Sequence, residues 1–211
     1  MSKVTVVDYG LGNLKSVSQA LKALGAEPQV TSDPDIVGRA ERVILPGVGA
    51  FRVAMEALRS QGLSDAVLAT AKKGTPILGI CLGMQLLFDS SNEFGYTDGL
   101  GLIPGKVSPI VSSADRSPAI RSTHIGWRTL DMSPAGRNIR DLAGLRPETS
   151  YYFVHSYGAN PFHESNLYAS VIYGGQNVCA VAGKENVQGV QFHPEKSAKA
   201  GLRVLESFLA V

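Results

Sequence analysis

Two periods of apolar residues share the first ninety positions. Short continuous runs at 4–7 (Val-Thr-Val-Val), 29–31, 42–45 and 76–80 (Pro-Ile-Leu-Gly-Ile) have the length and β-branched content of buried strands. Between them Leu14, Val17, Leu21 and Leu24 recur at helical intervals, and 50–60 and 64–73 also read as helices. A further helix is predicted to open at Leu82 and run on to Phe88, directly after the strand at 76–80. This alternation predicts a mostly parallel sheet flanked by helices.

The pattern changes after Ser90. Residues 90–122 are rich in Gly, Ser, Pro and Asp and read as loop, apart from a strand-like piece at 106–111. From Ser150 onward β-branched and aromatic runs dominate, at 151–154, Leu167–Tyr173, 178–182 and 187–192. Gly183-Lys184-Glu185-Asn186 joins the last two in hairpin fashion, and Ala198–Leu209 reads as a closing helix with Leu202, Leu205 and Leu209 on one face. No internal repeat or domain linker interrupts the chain. The prediction is one α/β domain over 1–211, with antiparallel strands added in the C-terminal half.

Composition narrows the function. With 44% hydrophobic residues in 211, the chain can bury one sizeable core. Twenty basic residues are interspersed with 18 acidic ones and no basic run exceeds two, which argues against a nucleic-acid surface. No apolar stretch approaches the roughly 20 residues of a membrane span. No leader pattern precedes the strand at 4–7, and two cysteines make no disulfide framework. The expectation is a cytoplasmic protein that engages neither membrane nor nucleic acid.

Gly79-Ile80-Cys81-Leu82-Gly83 fits a thiol nucleophile elbow, a sharp strand-to-helix turn relieved by glycines on either side. The helix start behind Cys81 would favour its thiolate. Free cysteine is also among the most buried residue types, so the motif alone leans toward packing. Cys179, inside the run 178–182 with no turn, is assigned to the core. The candidate base is His193 in Gln191-Phe192-His193-Pro194-Glu195, where strand period places Glu195 on the same side to orient the imidazole. Without Cys81 this pair is as well read as an exposed strand end. His155 ends another strand and is a weaker rival, while His124 and His163 lie in loop-like surroundings. No histidine pair has metal-ligand spacing, so neither a metal nor a cofactor is expected. Leu82 N–H is one candidate oxyanion donor, and Pro46-Gly47-Val48-Gly49, after a neighbouring strand, is a second source or simply a turn. Gly10-Leu11-Gly12 imitates a dinucleotide fingerprint, but Lys15 stands where the third glycine belongs.

Laid side by side, these pieces resemble the class I (triad-type) glutamine amidotransferases. The resemblance runs nearly end to end, through Asp8-Tyr9-Gly10-Leu11-Gly12-Asn13, Leu45–Phe51, Gly79–Leu87, Gly99–Gly105, His124-Ile125-Gly126-Trp127, Tyr152–Tyr157 and Gly189–Ser197. It is strongest to the glutaminase subunits that serve a cyclase in histidine biosynthesis. It implies a flavodoxin-like sheet and a Cys81–His193–Glu195 triad that hydrolyses glutamine through a glutamyl thioester. It also implies an oxyanion hole from Val48, Gly49 and Leu82, and substrate contacts from Gln85, Ser156 and Tyr157. The implied partner is a cyclase (β/α barrel) subunit bound as a heterodimer, with Asn13, His124, Trp127, Tyr152 and Lys196 towards the interface or its gating. The family usually reads Pro-His-x-Gly-Trp-Asn where this chain has Thr123 and Arg128. Alternatives are another class I subunit, a non-catalytic protein on the same fold, and a cysteine peptidase or esterase.

Overall fold

The computed structural model describes residues 2–111, 121–139 and 142–211. Its largest sheet has eight strands, of which five run parallel in the order β2 (Glu27–Thr31), β1 (Lys3–Val7), β3 (Val43–Gly47), β4 (Ile77–Cys81) and β14 (Val187–Val190). Antiparallel β13 (Gln176–Lys184), β12 (Leu167–Tyr173) and β9 (Asp131–Met132) continue it. The order 2-1-3-4 is that of a doubly wound sheet, with its switch point between β1 and β3.

Helices α1 (Leu14–Ala23) and α6 (Ala198–Leu209) pack on one face. On the other lie α2 (Pro34–Gly38), α3 (Phe51–Ser60), α4 (Leu63–Lys72) and α5 (Leu82–Leu86). Every residue of β3 and β4 is buried. The period of two sends Ile44, Leu78 and Ile80 into the α1/α6 core, and Val43, Leu45 and Ile77 into the opposite one. Each such side chain contributes roughly 1.5–3 kcal/mol of burial.

The predicted strands and long helices are present within a few residues of their expected ends. The hairpin is present too, but tighter than the four-residue link suggests. Gly183 and Lys184 still pair with Gln188 and Val187, leaving Glu185 and Asn186 to turn. Three readings need correction. The helix after Cys81 stops at Leu86, because the carbonyls of Leu86, Leu87 and Phe88 accept N–H groups from residues 100–103 instead of continuing the helix. Much of the stretch read as loop forms β5 (Phe88–Ser91), β6 (Thr97–Asp98) and β7 (Ile103–Pro109), which join β11 (Tyr157–Pro161) in a four-stranded sheet. Its part at 112–120 lies outside the described residues. His124, read as loop, opens β8 (His124–Thr129), which pairs antiparallel with β10 (Ser150–His155).

Parallel strands bring their C-terminal ends to one edge. The loop after β1 (8–13), the turn after β3 (48–50), Cys81 at the end of β4 and Gln191–Glu195 after β14 therefore meet there.

Candidate active site

Cys81 ends β4 with φ +55° and ψ −112°, a backbone state that L-residues avoid and that costs about 1–3 kcal/mol. The surrounding glycines are required by space. A Cβ on Gly83 would lie 1.8 Å from the Leu45 carbonyl oxygen, and one on Gly79 would lie 2.7 Å from the Gly83 oxygen and the Met84 backbone. The turn aims Cys81 into a cavity of about 430 Å³, where it is joined by Val48, Gly49, Leu82, Gln85 and His193. That volume suits a small-molecule substrate.

His193 is buried, and its Nδ1 lies 2.8 Å from Glu195 Oε1. Burial opposes charge on the imidazole. Hydrogen bonds to Cys81 and Glu195, reinforced by the charges of both, outweigh it and raise the pKa to about 10. Burial likewise works against the Glu195 carboxylate, but the bond and charge of His193, with a bond from Asn13, hold it below the ordinary range. The proton therefore rests on the imidazole, between the Glu195 carboxylate and the Cys81 sulfur. Asn13 occupies the N-cap position of α1 yet makes no side-chain cap. Its Nδ2 instead donates to Glu195 Oε1 at 3.0 Å, which places it on the carboxylate rather than only on a partner face.

The two candidate oxyanion donors differ in what engages them. Leu82 N–H, at the first position of α5, has no partner within the helix. Val48 N–H, however, donates to the Leu11 carbonyl at 3.3 Å. The Tyr9 hydroxyl, its pKa pushed up by burial and by Cys81, donates to Pro46 O at 2.8 Å. The loop at 8–13 thus holds the end of β3 through Pro46 and the turn after it through Val48, whose N–H is engaged by Leu11.

Gln85 commits its side-chain NH2 to Tyr157 O at 2.8 Å and Gln191 Oε1 at 3.0 Å, so only its carbonyl oxygen is left to offer. Ser156 and Tyr157 line the cavity, with Ser156 Oγ 2.7 Å from Thr123 Oγ1. The cavity also holds Glu93, a carboxylate that sequence reasoning missed. Its Oε2 accepts Phe51 N–H, at the start of α3, at 2.6 Å. The only sequence trace was an acid in a Ser- and Gly-rich stretch, and the strand pairing that brings it inward was not legible.

His155 lines the cavity as well, with Nδ1 2.8 Å from Tyr157 O. Burial depresses its pKa to about 4 against that bond, with His193 adding to the depression, so it stays neutral and is no rival base. His124 is fully buried, stacked between Phe153 and Tyr173, with Nδ1 3.1 Å from His155 Nε2. It therefore presents no side chain to a partner. Ile125 and Trp127 on the same strand are exposed, Tyr152 meets Trp127 edge-on at 5.7 Å, and Lys196 is exposed beside Glu195. Cys179 sits in the core as expected, its thiol pushed up to about 12 by burial.

The family model described as glutamine amidotransferase class-I matches residues 5–211. The imidazole glycerol phosphate synthase subunit HisH of Bacillus licheniformis is 46% identical over 209 residues, covering 97% of this chain and 94% of that protein. The subunit of the same name from Geobacillus thermodenitrificans is 44% identical, covering 100% of this chain and 97% of the relative. Among solved structures, PurLQS from Thermotoga maritima superposes with a TM-score of 0.75 at 21% identity, covering 99% of this chain and 97% of that one. That likeness concerns the fold.

Proposed function

The chain belongs to the class-I glutamine amidotransferase family and is a glutamine amidotransferase subunit of the imidazole glycerol phosphate synthase kind, serving histidine biosynthesis; from that premise we propose that Cys81, His193 and Glu195 hydrolyse glutamine and that a cyclase partner switches them on. The observation that carries the reading is Cys81, strained at the end of β4, coupled to a His193–Glu195 pair delivered by the adjacent strand β14.

The steps follow from where the proton rests. The Cys81 thiolate attacks the side-chain carbonyl of glutamine, and charge develops on its oxygen near Leu82 N–H. The tetrahedral adduct collapses as His193 hands its proton to the leaving nitrogen, which departs as ammonia. A glutamyl thioester remains. Water then attacks it while His193 takes a proton, and glutamate leaves as sulfur regains its electron pair. Glu195 holds the imidazole in one tautomer throughout and offsets its charge. Gln85 Oε1 and the Glu93 carboxylate suit the ammonium end of the substrate, and Ser156 its polar surroundings.

Val48 and Gly49 complete the oxyanion hole once Val48 N–H leaves the Leu11 carbonyl. The release is assigned to docking of a cyclase barrel on the exposed face around Ile125, Trp127, Tyr152 and Lys196, giving a heterodimer in which ammonia passes directly to the acceptor. The proposed nucleophile needs a free thiol, which suits a reducing compartment, and we assign the protein to the cytoplasm on that reading. Glutamate release measured with and without the cyclase is the test.

The ionised triad also ties stability to pH. His193 is raised from 6.5 to about 10, so its share is complete below its unfolded value and is lost as pH rises through about 10. Glu195 is lowered from 4.5, so its share is complete above that value and is lost as pH falls through the folded one. The urea midpoint of wild type minus that of His193→Gln is therefore expected to be larger at about pH 5.5 than at about pH 10.5. A difference constant across that range would contradict the ion pair.

A further inference from the structure

Gln191 carries a side-chain amide into a place without solvent. β14 ends one residue earlier, where Val190 pairs with Ile80, so Gln191 is the next residue along beside Cys81. It is 0% exposed, and its backbone N–H is spent on Ala180 O at 2.8 Å. A buried amide is stable only when its side chain is hydrogen-bonded, so its partners define its purpose.

Those partners also fix which end of the amide points where. Tyr157 O is a carbonyl and can only accept, so the Gln85 atom 2.8 Å away is the NH2 nitrogen. The same nitrogen lies 3.0 Å from Gln191, whose facing atom must then be the oxygen. The NH2 end of Gln191 is left facing Cys81 Sγ at 3.8 Å, a distance suited to a sulfur acceptor. Turning the Gln191 amide over would set NH2 against NH2, so Gln85 holds it in one sense.

We propose that Gln191 donates a hydrogen bond to the Cys81 sulfur, and that Gln85 is the positioning residue that keeps the donor end turned towards it. The inference rests on Cys81 being the nucleophile. A thiolate accepts such a bond far better than a thioester sulfur does, so the contact acts at two moments. Before attack it holds the charged sulfur at the cavity wall. In the second half-reaction water adds to the thioester carbonyl as His193 takes its proton, the C–S bond breaks, and the electron pair returns to sulfur as glutamate leaves. The N–H of Gln191 is already in place to receive that charge.

The test is Gln191→Met, similar in length but without a donor, made in the full chain and read by iodoacetamide alkylation of Cys81 followed by peptide mass. Alkylation is expected to slow about tenfold at about pH 7, with a smaller gap at about pH 9. In the partner-activated complex kcat is expected to fall at least about tenfold while KM stays within about twofold. Gln85→Met, which removes no contact to sulfur, is expected to slow alkylation by a smaller factor and serves if Gln191→Met does not fold. Wild-type alkylation at about pH 7 in either folded variant would overturn the proposal. Glutaminase activity surviving in Cys81→Ala would instead overturn the nucleophile reading, whatever Gln191 does to alkylation.

Discussion

Cys81→Ala and Cys81→Gly are both expected to lose glutamine hydrolysis, by about 10⁴-fold or more, and the glycine variant is expected to be the more stable of the two. Loss of activity follows from the proposed role of Cys81, since either change removes the sulfur that would form the thioester. The stability order follows from the backbone. At an ordinary position glycine is about 0.5–1 kcal/mol worse than alanine, because the unfolded chain gains freedom. At φ +55° and ψ −112° the order should invert, since alanine keeps about 1–3 kcal/mol of strain that glycine does not. A net advantage of about 1 kcal/mol for Cys81→Gly, read from urea unfolding, is the expected result. Alanine as the more stable variant would mean that the elbow stores no strain, and near-normal turnover in either would remove Cys81 from the chemistry.

Gly83→Ala should be among the most damaging single changes in the chain. Its Cβ would sit 1.8 Å from Leu45 O and 2.7 Å from Leu45 C, both backbone atoms of β3 in the middle of the sheet. Neither can turn aside as a side-chain end would. Accommodation needs β3 and α5 to part, opening packing around Leu45 and Leu82 on one face. The expected loss is about 3 kcal/mol or more, with the variant unfolded or lacking the elbow geometry. A urea midpoint within about 1 kcal/mol of wild type would show that the close approach of β3 and α5 is not needed.

The fold was legible where period and length are local properties. The runs at 4–7, 42–45 and 76–80 could only be buried strands, and Ala198–Leu209 carries its own helical stripe. The reading failed where long-range backbone partners decide. Leu82 to Phe88 is apolar apart from Gly83 and Gln85, and nothing within it reveals that carbonyls from Leu86 on will be taken by residues 100–103. The same ladder carries Glu93 inward, so its place in the cavity was invisible from the chain. Cys81 and His193-Pro194-Glu195 could be singled out as candidates because a turn and a strand end constrain geometry locally, although each alone read as well or better as packing or an exposed strand end. Asn13 and Gln191 could not be placed this way, because their partners lie 182 and 110 residues away. His124 was misread for a related reason, since its ring fills the gap between Phe153 and Tyr173 rather than the surface beside Trp127.

On the proposed mechanism, a strained nucleophile, a charged triad and one oxyanion donor would make a site that is built but held short of full activity. The part still to be supplied would be the Val48 backbone N–H, which donates to Leu11 O. A single oxyanion donor is worth about 10²–10³ in rate, which sets the size of the gate. The most direct measurement is steady-state glutamate release from glutamine by this chain alone, and by the chain saturated with a cyclase barrel and its nucleotide. The account predicts slow release alone and a rise of about 10²-fold or more in the complex. Equal rates in the two states would contradict gating, and activation by an unrelated synthase but not by the cyclase would contradict the partner.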